Sequence, residues 1–369
     1  MSMRSIYRGD VLNIEIYGQS HSETIGVFIE GLPEGTEPDT EETRLLMERR
    51  APGRNAWSTP RSEKDEVRFE KADDGRLHGY IINTNTKPKD YASIMNRPRP
   101  SHADITAGFK YGSEASKSGG GIFSGRMTAP LCIAGSIALQ QLEKRGIRIA
   151  SHIKEIAGQK DDSYYDHAPS DEGFKNGLLG VCKKEFPVID DNAGERMKEK
   201  IEEARTDLDS VGGIIETCIF GLPEGLGGPL FYGIEGKIAQ ILFAIPAVKG
   251  VEFGNGFEAA KLRGSQNNDP FVIDGEGSIK MESNRSGGIL GGISVGDLAP
   301  VVFDCAVKPT PSIGKKQRTV DLEKKENAEI EIKGRHDPCI VPRAVPVTEA
   351  AAAIAVYDMI LSNERGGLS

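Results

Sequence analysis

Near the end of the chain, the run Gly334-Arg335-His336-Asp337-Pro338-Cys339-Ile340-Val341-Pro342-Arg343-Ala344-Val345-Pro346 gathers two guanidiniums, an imidazole, a carboxylate and a thiol within nine residues. Each of its three prolines fixes φ, removes a backbone donor and biases the preceding residue toward extended conformations. The run is therefore expected as a rigid loop that displays chemistry. Two readings fit it: an anion site built on Arg335 and Arg343 with an acid or base beside them, or a surface turn carrying a local ion pair. A second concentration lies at Arg44, Arg49, Arg50, Arg54 and Arg61, with Arg97 and Arg99 in a later proline-rich loop. A solvated basic face usually mixes lysine with arginine, whereas here lysine is nearly absent. The arginine fork matches planar oxyanions through paired donors, so a ligand with several carboxylates or phosphates is implied.

Two histidines stand in similar settings, Gly18-Gln19-Ser20-His21 after a strand-like stretch and Arg99-Pro100-Ser101-His102-Ala103-Asp104 after the proline-rich turn. With His336 they suit proton transfer, metal binding or a purely structural role. No HxxxH spacing places two of them on one helix face. Lys117-Ser118-Gly119-Gly120-Gly121-Ile122-Phe123-Ser124-Gly125-Arg126 leads straight into a predicted helix from Thr128. Glycines ahead of a helix N-terminus offer N–H groups to a phosphate, although the run is neither a P-loop nor a Rossmann fingerprint. Lys308-Pro309-Thr310-Pro311-Ser312 could likewise grip a phosphate or simply turn the chain.

The elements that position these groups follow from pattern. Val27 to Gly35 and Cys218 to Gly225 each run an apolar strand into Gly-Leu-Pro-Glu-Gly. After each copy come a helix-like segment (39–50; 232–245), a glycine cluster (119–121; 287–292) and a small-residue helix (128–144; 347–361). This is the signature of a duplicated α/β unit. Strands are expected at 11–17, 25–30, 210–220 and 300–307, and the irregular alternation predicts an α+β fold, a layered β-α-β-α sandwich, rather than a doubly wound sheet. The whole chain reads as one domain with a polar insertion at about 158–205, expected at the periphery with an exposed helix over 192–205.

The totals narrow the function classes. A net charge of −9 on 369 residues argues against a dedicated nucleic-acid binder. Five scattered cysteines without CxxC spacing suggest neither a disulfide framework nor a zinc cage and fit a reducing cytoplasm. The first ten residues lack an apolar signal core, and no stretch reads as a membrane span. Glycine is abundant, 44 residues against an average near ~7%.

In this order, the motifs resemble those of the chorismate synthase family nearly end to end. They are Gly18 to His21, Arg49-Arg50-Ala51-Pro52-Gly53, Thr59-Pro60-Arg61, Arg99 to Asp104, Lys110-Tyr111-Gly112, Asp209 to Gly213, Gly264 to Asn267, Gly287 to Ser294, Lys308-Pro309-Thr310 and the run Gly334 to Pro346. The resemblance implies a lyase that converts 5-enolpyruvylshikimate 3-phosphate to chorismate and phosphate by 1,4-anti elimination. It also implies a requirement for reduced FMN without net redox change, a cytoplasmic location and a homotetramer. By the same resemblance, His21 would protonate the departing phosphate, His102 would hold the proton balance at flavin N1, and Asp337 would assist N5 in removing the C6 proton.

Substrate contacts carried over by motif are Arg49, Arg50, Arg126 and Arg343. FMN contacts are Ile122, Phe123, Ser124, Pro246, Ala247, Gly291, Lys308, Pro309, Thr310, Pro311, Ser312 and Arg335. Arg50 also matches a position associated with NADP in members that reduce their own flavin with NADPH. Where many members carry arginine and serine after the triple glycine, this chain has Ile122 and Phe123, which leaves backbone contacts to FMN. Gln19 and Ser22 replace a common glutamate and glycine, and Ala56 replaces a frequent arginine. An NADPH-dependent flavin reductase would need a dinucleotide fingerprint that the chain lacks. A non-catalytic anion binder would not need His21, His102 and Asp337 together.

Overall fold

The computed structural model describes residues 5–53, 57, 65–83, 96–112, 120–182, 184–332 and 336–366. Strands β1 (Ser5–Arg8), β2 (Asn13–Tyr17) and β3 (Thr24–Glu30) precede helix α1 (Thr40–Arg50) and the hairpin β4 (Val67–Lys71) and β5 (Leu77–Ile82). All pairings are antiparallel, in the order β1-β2-β3-β5-β4. Helices α2 (Asp104–Tyr111) and α3 (Thr128–Glu143) lead to β6 (Arg148–Ile156), β7 (Gln159–Lys160), α4 (Glu172–Val181) and α5 (Asp191–Thr206). Next come β8 (Gly213–Phe220), α6 (Ile234–Leu242), β9 (Val248–Phe253) and α7 (Gly264–Asn267). Short hairpins β10 (Phe271–Ile273) with β11 (Ile279–Met281) and β12 (Ile289–Leu290) with β13 (Ile293–Ser294) follow. The chain closes with β14 (Val301–Val307), the hairpin β15 (Gln317–Asp321) and β16 (Glu326–Ile330), and α8 (Val341–Glu364). The second sheet runs β7-β6-β8-β14-β9, again antiparallel.

The two sheets repeat one plan. β2-β3-β5-β4 in the first corresponds to β6-β8-β14-β9 in the second; a helix follows β3 and β8 (α1, α6), and a long core helix comes after β5 and β14 (α3, α8). Both Gly-Leu-Pro-Glu-Gly turns use left-handed glycines at their first and last positions, Gly31 and Gly35, Gly221 and Gly225. Only glycine takes those φ values without steric cost, so the sequence repeat is a backbone requirement met twice.

Period-two alternation builds the layers. Ile14, Ile25, Val27 and Ile81 of the first sheet, Ile215, Ile219, Val301, Phe303 and Cys305 of the second, and the apolar residues of α3 and α8 share one core. The opposite face of the second sheet, Ala150, Cys218, Phe220 and Val302, packs on Phe174, Leu178 and Val181 of α4. The order sheet, helices, sheet, helix is the β-α-β-α sandwich.

The structure corrects three expectations. The Pro-rich run is not loop throughout. α8 begins at Val341 with Pro342 in its first turn, where the missing N–H is not needed, and continues through Pro346. The 158–205 insertion is not peripheral either: α5 buries Met197 and Ile201 into the main core with Phe186 and Val188. Finally, α8 has the length and hydropathy of a membrane span, but that stretch is wholly buried inside the fold, a core helix.

Candidate functional site

The loop before α2 builds the most tightly bonded group. Asp104, buried at the helix start, accepts from Arg99 Nε and Nη2 at 2.7 Å each and from the Arg99 backbone N–H at 3.0 Å. His102 Nδ1 lies 2.7 Å from Asp104 Oδ1. Burial works to raise the Asp104 carboxyl, but the hydrogen bonds and charges of Arg99 and His102 outweigh it and hold it well below the usual carboxylate range. His102 Nδ1 also lies 3.1 Å from Arg99 Nη2, so one ring nitrogen is held between the carboxylate and the guanidinium. The other ring nitrogen, Nε2, lies against the glycine turn, 3.8 Å from where a Cβ on Gly120 would stand.

That turn also receives the other histidine loop, since the Ser20 N–H donates to Gly121 O at 3.2 Å. Asn83 ties the same loop to the arginines: its Nδ2 donates to Ser22 O at 2.7 Å, and its Oδ1 accepts from Arg126 Nη2 at 2.9 Å. Ser22, a departure from the family pattern, closes the loop by donating to Thr24 O. Two 3₁₀ turns, Gly121–Phe123 and Gly125–Met127, stand between the glycines and α3, so the helix does not start directly on them as expected.

The arginine cluster does not converge as one site. Successive helix positions project about 100° apart, so residues of α1 leave in different directions. Arg44 pairs with Glu41 and Glu48 in solvent. Arg49 forms a bidentate pair with the buried Glu349 of α8, at 2.7 and 2.9 Å. Arg50, 1% exposed, donates to Asp65, Thr128 Oγ1 and Gly125 O. Burial pushes its guanidinium below the usual arginine range, aided by Arg343 and Arg126 and opposed by Asp65. Arg97 pairs with Asp321. Arg54 and Arg61 lie outside the described residues.

Arg343 joins these groups to the opening run. It donates to Asp337 Oδ2 at 2.9 Å and to Arg50 O at 3.2 Å. Asp337 O accepts from Thr310 Oγ1 at 2.8 Å, and Ser312 Oγ accepts from Arg99 Nη1 at 3.1 Å. The 308–312 loop thus bridges the Asp337 run and the His102 loop. Lys308 Nζ donates to Ser101 O, while its backbone N–H donates to the carbonyl of Ala247, a residue in the left-handed region. Burial, then the charge of Lys249, lowers the Lys308 ammonium from its ordinary range.

The remaining expected flavin contacts divide. Pro246 and Ala247 stand beside Lys308, and Ser124 caps the second 3₁₀ turn by accepting from Arg126 N. Phe123 is partly exposed and tilts against Tyr111 at 6.3 Å, with Ile122 beside it. Gly291 turns the β12-β13 hairpin, which bonds to the N-terminus of α6 through Gly292 O and Ile234 N. Ala247 follows the other end of α6, a nine-residue helix about 13 Å long. Arg335 lies outside the described residues. His336 Nε2 bonds to Ile332 O, and burial pushes the Cys339 thiol up to about 12, so neither is poised for chemistry.

Sequence reading missed Asp65 and Asn83, because nothing local marks them. It also missed a small cleft of about 60 Å³ lined by Arg49, Trp57, Cys339 and Arg343 together with Lys184 and Glu185. The described site combines buried guanidiniums, a lysine pair and a carboxylate-held imidazole around loops from both repeats. Such a site suits an enzyme acting on a multiply charged small anion.

Comparison with known proteins agrees. The model of the chorismate synthase family matches residues 12–361. The chorismate synthase of Lancefieldella parvula is 41% identical, covering 97% of both chains. That of Thermococcus kodakarensis is 43% identical over 96% of this chain and 97% of its own. A crystal structure of chorismate synthase superposes with a TM-score of 0.73 at 26% identity, covering 96% of this chain. The chain belongs to the chorismate synthase family, lyases of chorismate formation in aromatic biosynthesis.

Proposed function

We propose that this enzyme converts 5-enolpyruvylshikimate 3-phosphate to chorismate and phosphate by 1,4-anti elimination, with reduced FMN, in the cytoplasm. The observation that carries the reading is the single hydrogen-bonded chain linking the His102 loop, the 308–312 loop, Asp337, Arg343, Arg50 and Arg126. The substrate bears two carboxylates and a phosphate, which matches a site where three guanidiniums meet two carboxylates. Arg126 and Arg343 are its proposed contacts, with Arg49 and Arg50 behind them.

The residues fit a flavin phosphate. Lys308 and Lys249 repel one another in a half-enclosed spot beside Ala247, where an anion relieves the repulsion. Ile122 to Ser124, Pro246, Ala247, Lys308 to Ser312 and Arg335 would hold FMN, and Gly291 would do so from the far end of α6. Bound reduced flavin supplies electron density that assists departure of the C3 phosphate without net oxidation. His21 donates a proton to that phosphate. His102, its Nδ1 held between Asp104 and Arg99, offers Nε2 beside the glycine turn as a proton carrier for the flavin edge. Asp337, held by Arg343, assists removal of the C6 proton.

A homotetramer is part of the same proposal, supported by exposed apolar groups: Leu230, Phe231 and Leu290 lie on segments bonded together through Gly228 and Gly292. The test is anaerobic turnover with reduced FMN, in which chorismate and phosphate should appear together, and phosphate alone or neither would overturn the reading. Because Arg50 is sealed from solvent, NADPH with oxidised FMN is expected to give no chorismate. Product in that arm would assign Arg50 to NADP after all.

A further inference from the structure

Asp65 lies just before β4 and is the meeting point of three elements. Its Oδ2 accepts from Arg50 Nη1, at the C-terminus of α1, at 2.7 Å. Its Oδ1 accepts from Arg126 Nη1, on the turn before α3. Arg126 in turn reaches Asn83, directly after β5. The Asp65 side chain is only 2% exposed. A dedicated arginine–carboxylate pair commits both oxygens to one guanidinium, as Arg49 and Glu349 do here. Asp65 gives one oxygen to each of two guanidiniums. Two like charges are thereby held together where water cannot screen them, and the group retains a net positive charge.

We propose that Asp65 is a positioning residue of the anion site, fixing Arg126 against the buried Arg50 so that Arg126 stands ready for the substrate's charged groups. The proposal rests on the function argued above for this site. Asp65 touches no reacting atom. It sets where the positive charge stands, and without it the two guanidiniums repel and Arg126 loses its direction. Removing a negative charge from an anion site would, by charge alone, tighten anion binding. A positioning role predicts the opposite.

The test compares Asp65→Asn, Asp65→Glu, Arg126→Met and the Asp65→Asn/Arg126→Met pair, with KM and kcat for 5-enolpyruvylshikimate 3-phosphate and, separately, FMN affinity. Asp65→Asn should raise KM by about tenfold or more, the loss of one charged hydrogen bond, with FMN affinity unchanged. Its effect should largely vanish in the Arg126→Met background, because both changes remove the same arrangement. Asp65→Glu restores the charge one methylene out of place and should still raise KM, which keeps the question answerable if the Asn variant fails to fold. Tighter or unchanged substrate binding in both Asp65 variants, or additivity with Arg126→Met, would overturn the proposal. Calorimetric titration of the same ester without flavin reads binding without turnover. A wild-type chain that binds the ester but makes no chorismate would therefore count against the lyase reading and not against Asp65.

Discussion

At the scale of single residues, the site is governed by carboxylates that hold cations in place. Asp104 is the clearest case: it holds the His102 ring and clamps Arg99 at once. Asp104→Asn removes the charge that holds both the His102 ring and the Arg99 guanidinium. Turnover is expected to fall on the order of 10²-fold while FMN affinity changes little, measured by steady-state kinetics beside a flavin titration. An unchanged kcat would remove His102 from proton transfer. Asp104 stood within a motif that the sequence displayed, yet its role was invisible there, because an acidic residue at a helix start also serves as an ordinary cap. Asp65 was harder still, since its partners lie 15 and 61 positions away.

At the scale of elements, close crossing of α3 and α8 places both halves of the site. A Cβ added at Gly135 would stand 2.3 Å from Ala350 Cβ and 2.6 Å from its Cα. Gly135→Ala is therefore expected to cost about 1–3 kcal/mol through overpacking, read by urea unfolding, and to disturb the start of α8 near Arg343. Stability equal to the parent would show that the helices part freely. Much of this scale was legible: both turn repeats, the small-residue helices and the alternating strands carry their periodicities openly. The start of α8 was not, because three prolines argue against helix in isolation, whereas Pro338 lies before the helix, Pro342 sits in its tolerant first turn and the helix runs on through Pro346. The burial of α5 was hidden too, since Ala193, Met197, Ile201 and Ala204 form a narrow apolar stripe among many charges.

At the scale of the whole molecule, the insertion is fastened to the outer face of the second sheet by buried charge. His152 bridges Asp161 and Glu216 at 3.0 Å each, and Lys154 bridges Glu216 and Asp304. Burial opposes the His152 charge, but the two carboxylates win and raise its pKa from 6.5 to about 9. A raised histidine stabilises fully below pH 6.5, and the contribution, about 3 kcal/mol, disappears as pH rises through 9. His152→Gln should therefore lower stability at pH 7 and flatten its decline between pH 7 and 9. Parallel curves for parent and variant would refute the bridge. Polar residues facing outward from a strand read as solvated, so no sequence pattern announced this cluster.

Redox-neutral elimination in a site assembled from both repeats is the proposed function that ties these scales together. The direct measurement is anaerobic turnover with 5-enolpyruvylshikimate 3-phosphate in large excess over reduced FMN, following phosphate, chorismate and flavin oxidation together. Redox-neutral chemistry predicts equal phosphate and chorismate, many turnovers per flavin and no stoichiometric oxidation of it. Flavin oxidised in proportion to product, or phosphate released without chorismate, would contradict it.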